Sequence, residues 1–363
     1  MWTYHNPVRI TFGAGAGALG TLGEALAGRP HALVTYADGP FPALAGRLAD
    51  RVGPPLVTVD GVLANPDMAD LRPLAAGLAE AWPEVQAVVA LGGGSAMDAA
   101  KALVAARGDF ARVERHLRGG GRATAGDLGR VPIIAVPTTA GTGSEVTCWA
   151  TVWDRATGAK FSLSEPFLYP ERAIIDPDLA LGSPRDLTVS TGLDALSHAL
   201  ESLWNVNANP VTRDYAVAAA RLALATLPRL VDDLDNRTLR AAMARAALLA
   251  GLAFSNTRTA LAHNISYAVT VNHGLAHGYA CSFCLPFVMR LAVGRDADCD
   301  AALTAVFDAP PEAGADRLER FLNDLDLSTD PADHGIGAVE WDGLVHAAAA
   351  GPRGRNFIGT VPN

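Results

Sequence analysis

The sequence of 363 residues predicts an α/β fold joined to an all-α half. Three observations carry this. Apolar strands alternate with helical stretches between residues 31 and 136, the pattern of a parallel sheet covered by helices. Glycine-rich loops directly follow two of those strands. After Pro184 strand-like runs vanish, and Ala/Leu-rich helical stretches take over. The change of texture sets a boundary near 182, with an α/β domain at 1–182 and a helical domain at 183–363.

The elements follow in order. Val8–Phe12 reads as a short strand. Gly15-Ala-Gly17-Ala-Leu-Gly20 matches G-x-G-x-x-G, with Asp38 further on. A lone match is weak, and Arg9 and Thr11 suit a buried parallel strand poorly. The segment therefore reads as a turn and an amphipathic helix. Residues 31–36, 56–59, 85–91 and 131–136 are apolar strands. Residues 41–52, 68–81 and 96–106 have helical periodicity, and 118–130 is a Gly/Arg-rich loop. Helical stretches follow at 190–204, 210–227, 237–255, 259–270, 280–292 and 312–325.

Composition narrows the function. A net charge of -9 argues against a nucleic-acid surface. No apolar run approaches the length of a bilayer span, and the N-terminus lacks a signal-peptide pattern. The expectation is a cytoplasmic protein without nucleic-acid or membrane partners. Cys281 and Cys284 form a lone CxxC; zinc would want a second pair, so Cys148, Cys281, Cys284 and Cys299 read as buried free thiols. Only Lys101 and Lys160 are lysines among 29 basic residues. A lysine surviving such an arginine bias is expected to matter as lysine.

Two loops point to phosphate. Gly92, Gly93, Gly94 and Ser95 link an apolar strand to a helix start, where glycine admits an anion close to free N–H groups. Pro137–Glu145 follows the same logic, with hydroxyls from Thr138, Thr139, Thr142 and Ser144. Asp98 and Lys101 lie in the helix after the first loop, Asp98 as a further cofactor-binding candidate and Lys101 placed to face phosphate. In the helical half, Asp194 and His198 are four apart, which places a carboxylate and an imidazole on one face. His263, His273 and His277 follow downstream.

These stretches resemble the iron-containing (group III) alcohol dehydrogenase family. Gly92-Gly-Gly-Ser-Ala-Met-Asp98-Ala-Ala-Lys101 is similar to its GGGSxxDxAK. Pro137-Thr-Thr-Ala-Gly-Thr-Gly-Ser-Glu-Val-Thr147 is similar to its PTTAGTGSEVT. Asp176-Pro-Asp-Leu and Thr191-Gly-Leu-Asp194-Ala-Leu-Ser-His198-Ala-Leu-Glu201 are similar to DPxL…TGxDAxxHAxE, and His263…His277-Gly278 to the His…HG segment. The resemblance implies an N-terminal Rossmann-like parallel-sheet nucleotide domain, a helical metal-binding domain and a homodimer. It implies Asp194, His198, His263 and His277 as ligands of Fe²⁺, with Zn²⁺ also suited to the set. On one straight helix His263 and His277 would stand about 21 Å apart, so a chain reversal is needed, and Asn272-His273-Gly274 offers one. The implied cofactor is NADH or NADPH. Tyr36 follows Val34-Thr35 where NAD-specific members have a ribose-binding Asp, and Asp38 comes two residues late.

The implied reaction reduces a small aldehyde to a primary alcohol. The metal acts as Lewis acid and the nicotinamide as hydride donor. Tyr267 stands where many members have a second histidine, so the proton comes from Tyr267, His273 or water. Asn256–Thr270 resembles the subgroup that reduces phosphonoacetaldehyde to 2-hydroxyethylphosphonate in phosphonate antibiotic biosynthesis. An anionic phosphonate asks for cations. Arg258, Lys160 and the C-terminal Arg353 and Arg355 are the candidates, Lys160 also as a catalytic group. The alternatives are a reductase for an uncharged short aldehyde, alcohol or diol, a dehydroquinate-synthase-like lyase that recycles NAD, and a non-catalytic metal-binding scaffold.

Overall fold

Parallel pairing of short, mostly apolar strands builds the first half of the chain. The strands are β1 (Arg9–Phe12), β2 (His31–Val34), β3 (Val57–Val59), β4 (Ala87–Gly92), β5 (Ile133–Pro137), β6 (Trp149–Asp154), β7 (Ala159–Ser164) and β8 (Arg172–Ile175). Six form one sheet in the order β1-β8-β5-β4-β2-β3, every pairing parallel. β6 and β7 form an antiparallel hairpin. Helices α1 (Ala16–Gly20), α2 (Leu22–Leu26), α3 (Phe41–Val52), α4 (Met68–Leu78), α5 (Gly94–Ala106) and α6 (Ala111–Arg118) connect the strands. This computed structural model describes residues 1–119 and 121–362, so one position of the 118–130 loop lies outside the described residues.

The sheet is buried on both faces, which explains why its central strands read as continuous apolar runs. Side chains alternate along each strand. Leu33, Val89, Leu91, Ile134 and Val136 pack with the apolar residues of α1–α3. Ala32, Val34, Val88, Ala90, Ile133 and Ala135 pack with α4–α6 and the hairpin. β1 pairs only with β8 at the sheet edge, where Arg9 and Thr11 keep partial solvent contact. The hairpin strands and β8 go beyond the expected elements. β6 alternates half-buried and buried residues, a pattern that a search for unbroken apolar runs passes over.

The second half is helical: α7 (Arg185–Leu203), α8 (Pro210–Asp232), α9 (Arg237–Thr257), α10 (Leu261–His273), α11 (His277–Ser282), α12 (Leu285–Ala292), α13 (Ala297–Phe307), α14 (Pro311–Asn323) and α15 (Ala338–Ala350). α8 opens with a capping box between Asn209 and Thr212 and a proline in its first turn. The helix expected over 280–292 is two helices, with Pro286 in the first turn of the second. α13 and α15 were not anticipated. α9 is long and apolar enough to cross a bilayer, contrary to the expectation above, yet most of it is buried in the core with α7 and α8. α7 is buried on all sides from Gly192 to Leu203, the signature of a central core helix.

Pro7–Thr139 and Ser144–Ala180 form one compact unit. Met1–Asn6, Ala140–Gly143 and Leu181–Asn363 form the other. Ala140–Gly143 thus belongs with the helices. A Cβ on Gly141 would lie 2.7 Å from the Thr191 backbone, and one on Gly143 2.7 Å from Gly251.

Candidate functional site

Polar residues in a wholly buried helix need partners. In α7 the buried titratable ones are Asp194, His198 and Glu201, at spacings that align them on one face. α10 contributes His263 from its first turn and ends at Gly274 in the left-handed conformation. The chain then turns back and α11 opens with His277. A Cβ on Gly278 would overlap the Ser190 carbonyl oxygen, so glycine is what lets α11 approach α7 this closely. Ser197 and Ser282 hydroxyls tie the same two helices together through Cys281 O (3.4 Å) and Leu193 O (3.1 Å).

Three imidazole nitrogens surround one oxygen. Asp194 Oδ1 lies 3.4 Å from His263 Nε2, 3.8 Å from His198 Nε2 and 3.9 Å from His277 Nε2. Asp194 Oδ1 and His263 Nε2 are buried with no hydrogen-bond partner among the described residues. Unsatisfied buried polar atoms facing one another are costly unless a cation lies between them. Ligand atoms about 2.1 Å from one ion at the tetrahedral angle stand about 3.4 Å apart. The arrangement therefore fits a divalent metal. Asp194, His263, His277 and Cys281 have donor atoms all within 4.8 Å of one another. Cys281 is a member the sequence reading left as a free thiol; its signal was the four-residue spacing from His277.

Glu201 orients the set. Its carboxylate, fully buried, accepts hydrogen bonds from the backbone N–H of Ala260 (2.9 Å), Ala262 (2.6 Å) and His263 (3.2 Å). It lies 2.7 Å from His263 Nδ1. A carboxylate here caps the α10 N-terminus and accepts the Nδ1–H hydrogen bond, which directs Nε2 at Asp194, where a bound metal would take the place of its proton.

Electrostatics favour a cation. Burial alone would raise the Asp194 pKa, but His198, His277 and His263 hold it well below the usual carboxylate range. Burial pushes His198 down to about 4, so it is neutral and its lone pair is available at neutral pH. Burial also opposes protonation of His263, but Cys281, Glu201 and Asp194 outweigh it and hold that pKa well above its usual value.

The remaining expected residues divide. Tyr267 lies beside the cluster, its ring parallel to His277 (5°) at 6.3 Å. His273 does not. It is ten residues beyond His263 on the same helix, about 15 Å along the axis, and its Nε2 lies 2.9 Å from Glu340. His273 is therefore corrected from proton relay to hydrogen-bond partner of Glu340. Arg258 is exposed at the end of α9, where its carbonyl rather than its guanidinium is engaged, by Asn205. Arg355 is exposed as well. The cation at the site is Arg353, 4.9 Å from the Tyr267 ring centroid. Lys160 sits across the β6–β7 hairpin from Trp153 with its ammonium 5.0 Å over the indole.

In the α/β unit the glycine loop is built as expected. A Cβ on Gly92 would lie 2.6 Å from Ala96 Cβ and 2.7 Å from the Tyr36 ring. α5 starts at Gly94; the Ala96 N–H donates to the Tyr36 hydroxyl (3.2 Å), and the N–H groups before it suit an anion. Asp38 is exposed after β2 and Gly93 and Ser95 follow β4. β2 and β4 are the neighbours at which strand order reverses, the usual dinucleotide position. Thr139 packs on Gly93, and the buried Thr138 donates its backbone N–H to Gly92 O (3.0 Å). Thr142 is half-buried and belongs with the helices.

Asp98, Ser144 and Lys101 differ from the expectation. Asp98 accepts from the Ser144 hydroxyl (3.0 Å) and the Thr151 N–H (2.9 Å). The fully buried Lys101 Nζ donates to Ser144 O (2.7 Å), Ser144 Oγ (2.8 Å) and Trp149 O (2.9 Å). Asp98 is half-buried and Lys101 fully buried on α5, and the Lys101 ammonium holds the β5–β6 connection rather than meeting a phosphate.

The comparisons with known proteins agree with this architecture. Residues 7–177 match the model of the iron-containing alcohol dehydrogenase family, and residues 188–357 match that of the C-terminal domain of the same family. The phosphonoacetaldehyde reductase of Streptomyces viridochromogenes is 35% identical over 329 residues, covering 85% of this chain and 78% of that protein. The sulfoacetaldehyde reductase of Bilophila wadsworthia is 30% identical over 261 residues, covering 69% and 66%. The crystal structure of sulfoacetaldehyde reductase from Bifidobacterium kashiwanohense in complex with NAD⁺ superposes with a TM-score of 0.90 at 29% identity, covering 100% of this chain and 96% of that one. Motifs, fold and relatives lead to one conclusion: this chain belongs to the iron-containing alcohol dehydrogenase family and is an oxidoreductase of its alcohol dehydrogenase/aldehyde reductase type.

Proposed function

We propose that the chain reduces phosphonoacetaldehyde to 2-hydroxyethylphosphonate with NAD(P)H and a divalent metal, in the making of a phosphonate natural product. Arg353 carries this reading. Its guanidinium lies over Tyr267, which stacks beside His277, and no carboxylate pairs with it among the described residues. A cation one ring away from a metal cluster suits a short aldehyde with an anion at its other end. Two of the relatives above are named for two-carbon aldehydes with anionic head groups.

A bound metal supplies Lewis-acid polarisation of the carbonyl, and a bound nicotinamide supplies hydride. Asp194, His198, His263 and His277 are the residues to hold the metal. Burial raises the Tyr267 pKa, with Arg353 pulling against it. The phenol thus keeps its proton at neutral pH and can give it to the developing alkoxide oxygen.

The test is Arg353→Ala with two substrates. Losing a half-buried charge partner should lower kcat/KM on phosphonoacetaldehyde about 30- to 100-fold. Propanal reduction should change less than about threefold, since it has no anion to anchor. Equal losses on both substrates would refute the anion anchor.

A further inference from the structure

We infer that Tyr36 is a further cofactor-binding residue, whose phenol O–H donates to the diphosphate of NADH or NADPH at the start of α5. This rests on the dinucleotide part of the reading above. It gives Tyr36 a role other than the ribose contact that the resemblance attaches to its position.

Three observations support it. The first is where the side chain goes. Tyr36 follows β2 and lays its ring against the glycine loop: a Cβ on Gly92 would lie 2.7 Å from the ring, and one on Gly93 3.8 Å from its hydroxyl. The second is that the ring is held there. It is half-buried, Phe41 at the start of α3 meets it edge-on at 4.6 Å and 64°, and a bridge to Gly61 pins its backbone. The third is its hydrogen bonding. The phenol oxygen accepts the Ala96 N–H (3.2 Å), and the phenol's own hydrogen has no acceptor among the described residues.

A phenol both accepts and donates, and here the accepting side is already engaged by the helix. Gly94, Ser95 and Ala96 open α5, and their N–H groups precede the first intrahelical bond, from the Met97 N–H to Gly93 O (3.2 Å). Tyr36 takes the Ala96 N–H; the two before it suit an anion. Neighbouring N–H groups of one helical turn present their acceptors side by side, so an anion oxygen held by the Ser95 N–H comes within reach of the phenol oxygen. Two bare oxygens so close repel, whereas a proton between them makes a charge-assisted hydrogen bond. The phenol supplies that proton, since burial holds its pKa above the usual value. Tyr36 thus carries the pull of the helix N-terminus one atom further.

Calorimetry of the full-length protein with NADH, NADPH and ADP-ribose tests this without turnover; ADP-ribose carries the diphosphate but no nicotinamide. Tyr36→Phe keeps the ring against Phe41 and Gly92 and removes only the hydroxyl. The variant should bind ADP-ribose and the preferred dinucleotide about 10- to 100-fold more weakly than the wild type, the loss of one charge-assisted hydrogen bond. Equal affinities overturn the inference. So does tighter binding by the variant, which would make the phenol a competitor for the Ala96 N–H. A crystal structure of the wild type with ADP-ribose needs no variant to fold. It should place Tyr36 Oη about 2.7 Å from a diphosphate oxygen, and an Oη on a ribose hydroxyl or turned to solvent overturns the contact. A wild type that binds none of the three ligands overturns the dinucleotide reading as well, which separates the two failures.

Discussion

Replacing Glu201 with glutamine removes one charge and almost no volume, yet it should dismantle the centre from behind. The carboxylate faces four N–H groups: Ala260 N and His263 Nδ1 on one oxygen, Ala262 N and His263 N on the other. A glutamine amide serves only one side. With its NH₂ toward Ala262 and His263 N, two backbone donors face a donor. With its NH₂ toward Ala260 and Nδ1, one backbone donor is orphaned and His263 must accept at Nδ1. The second arrangement is the cheaper, and it moves the imidazole proton to Nε2, the atom facing Asp194. One orphaned buried N–H and the loss of charge-assisted bonds cost about 2–4 kcal/mol of stability. Blocking the donor lone pair should lower metal affinity about 10- to 100-fold. Titration calorimetry of Zn²⁺ into metal-free wild type and Glu201→Gln, with urea unfolding of both, measures the two losses. A variant that unfolds earlier but binds zinc as tightly as the wild type would refute the tautomer argument and leave Glu201 as a helix cap alone.

Three further outcomes follow from the same geometry. Tyr267→Phe should lower kcat about 100-fold with KM little changed, measured by steady-state kinetics, if the phenol is the proton donor; full activity would make it packing. Gly278→Ala should force α11 away from Ser190, costing about 1–3 kcal/mol and lowering the Tm by several degrees in calorimetry, with loss of metal affinity as His277 moves. Burial pushes Lys101 down from 10.5 to about 8. Between those values the unfolded chain holds a proton that the native state has released, so stability rises with pH through that window, by up to about 3 kcal/mol. Urea unfolding at about pH 7 and about pH 10.5 should show this rise in the wild type relative to Lys101→Met, and parallel behaviour of the two would refute it.

What the sequence showed were features that local pattern encodes. β2, β4 and β5 announce themselves because both faces of each strand are buried. α7 to α10 have long helical periods, and Gly92–Ser95 needs glycine for reasons visible in the motif. Asp194 and His198 share a helical face by spacing alone. What it hid depends on which surfaces meet. Lys101 stood out as a rare lysine, but its need is a buried pocket of carbonyls, not a phosphate. Arg353 and Arg258 look alike in sequence, and only the fold brings one of them to Tyr267. Cys281 reads in sequence as half of a CxxC with Cys284, and the four-residue spacing from His277 shows its place only once α11 is seen to open on His277. Glu201 lay inside a recognised motif without a role until α10 was seen to start on its carboxylate.

The enclosure of α7 has a consequence for how such a chain can change. Asp194, His198 and Glu201 are rungs of a helix in the middle of the hydrophobic core, so an altered side chain there is felt by packing and chemistry together. Arg353 is half-buried on a C-terminal turn at the rim, where replacement should cost little stability. Laboratory selection for new aldehydes should therefore accumulate substitutions at the rim and leave α7 untouched. A library spread evenly over both would separate into folded variants with new specificity and unfolded ones with none.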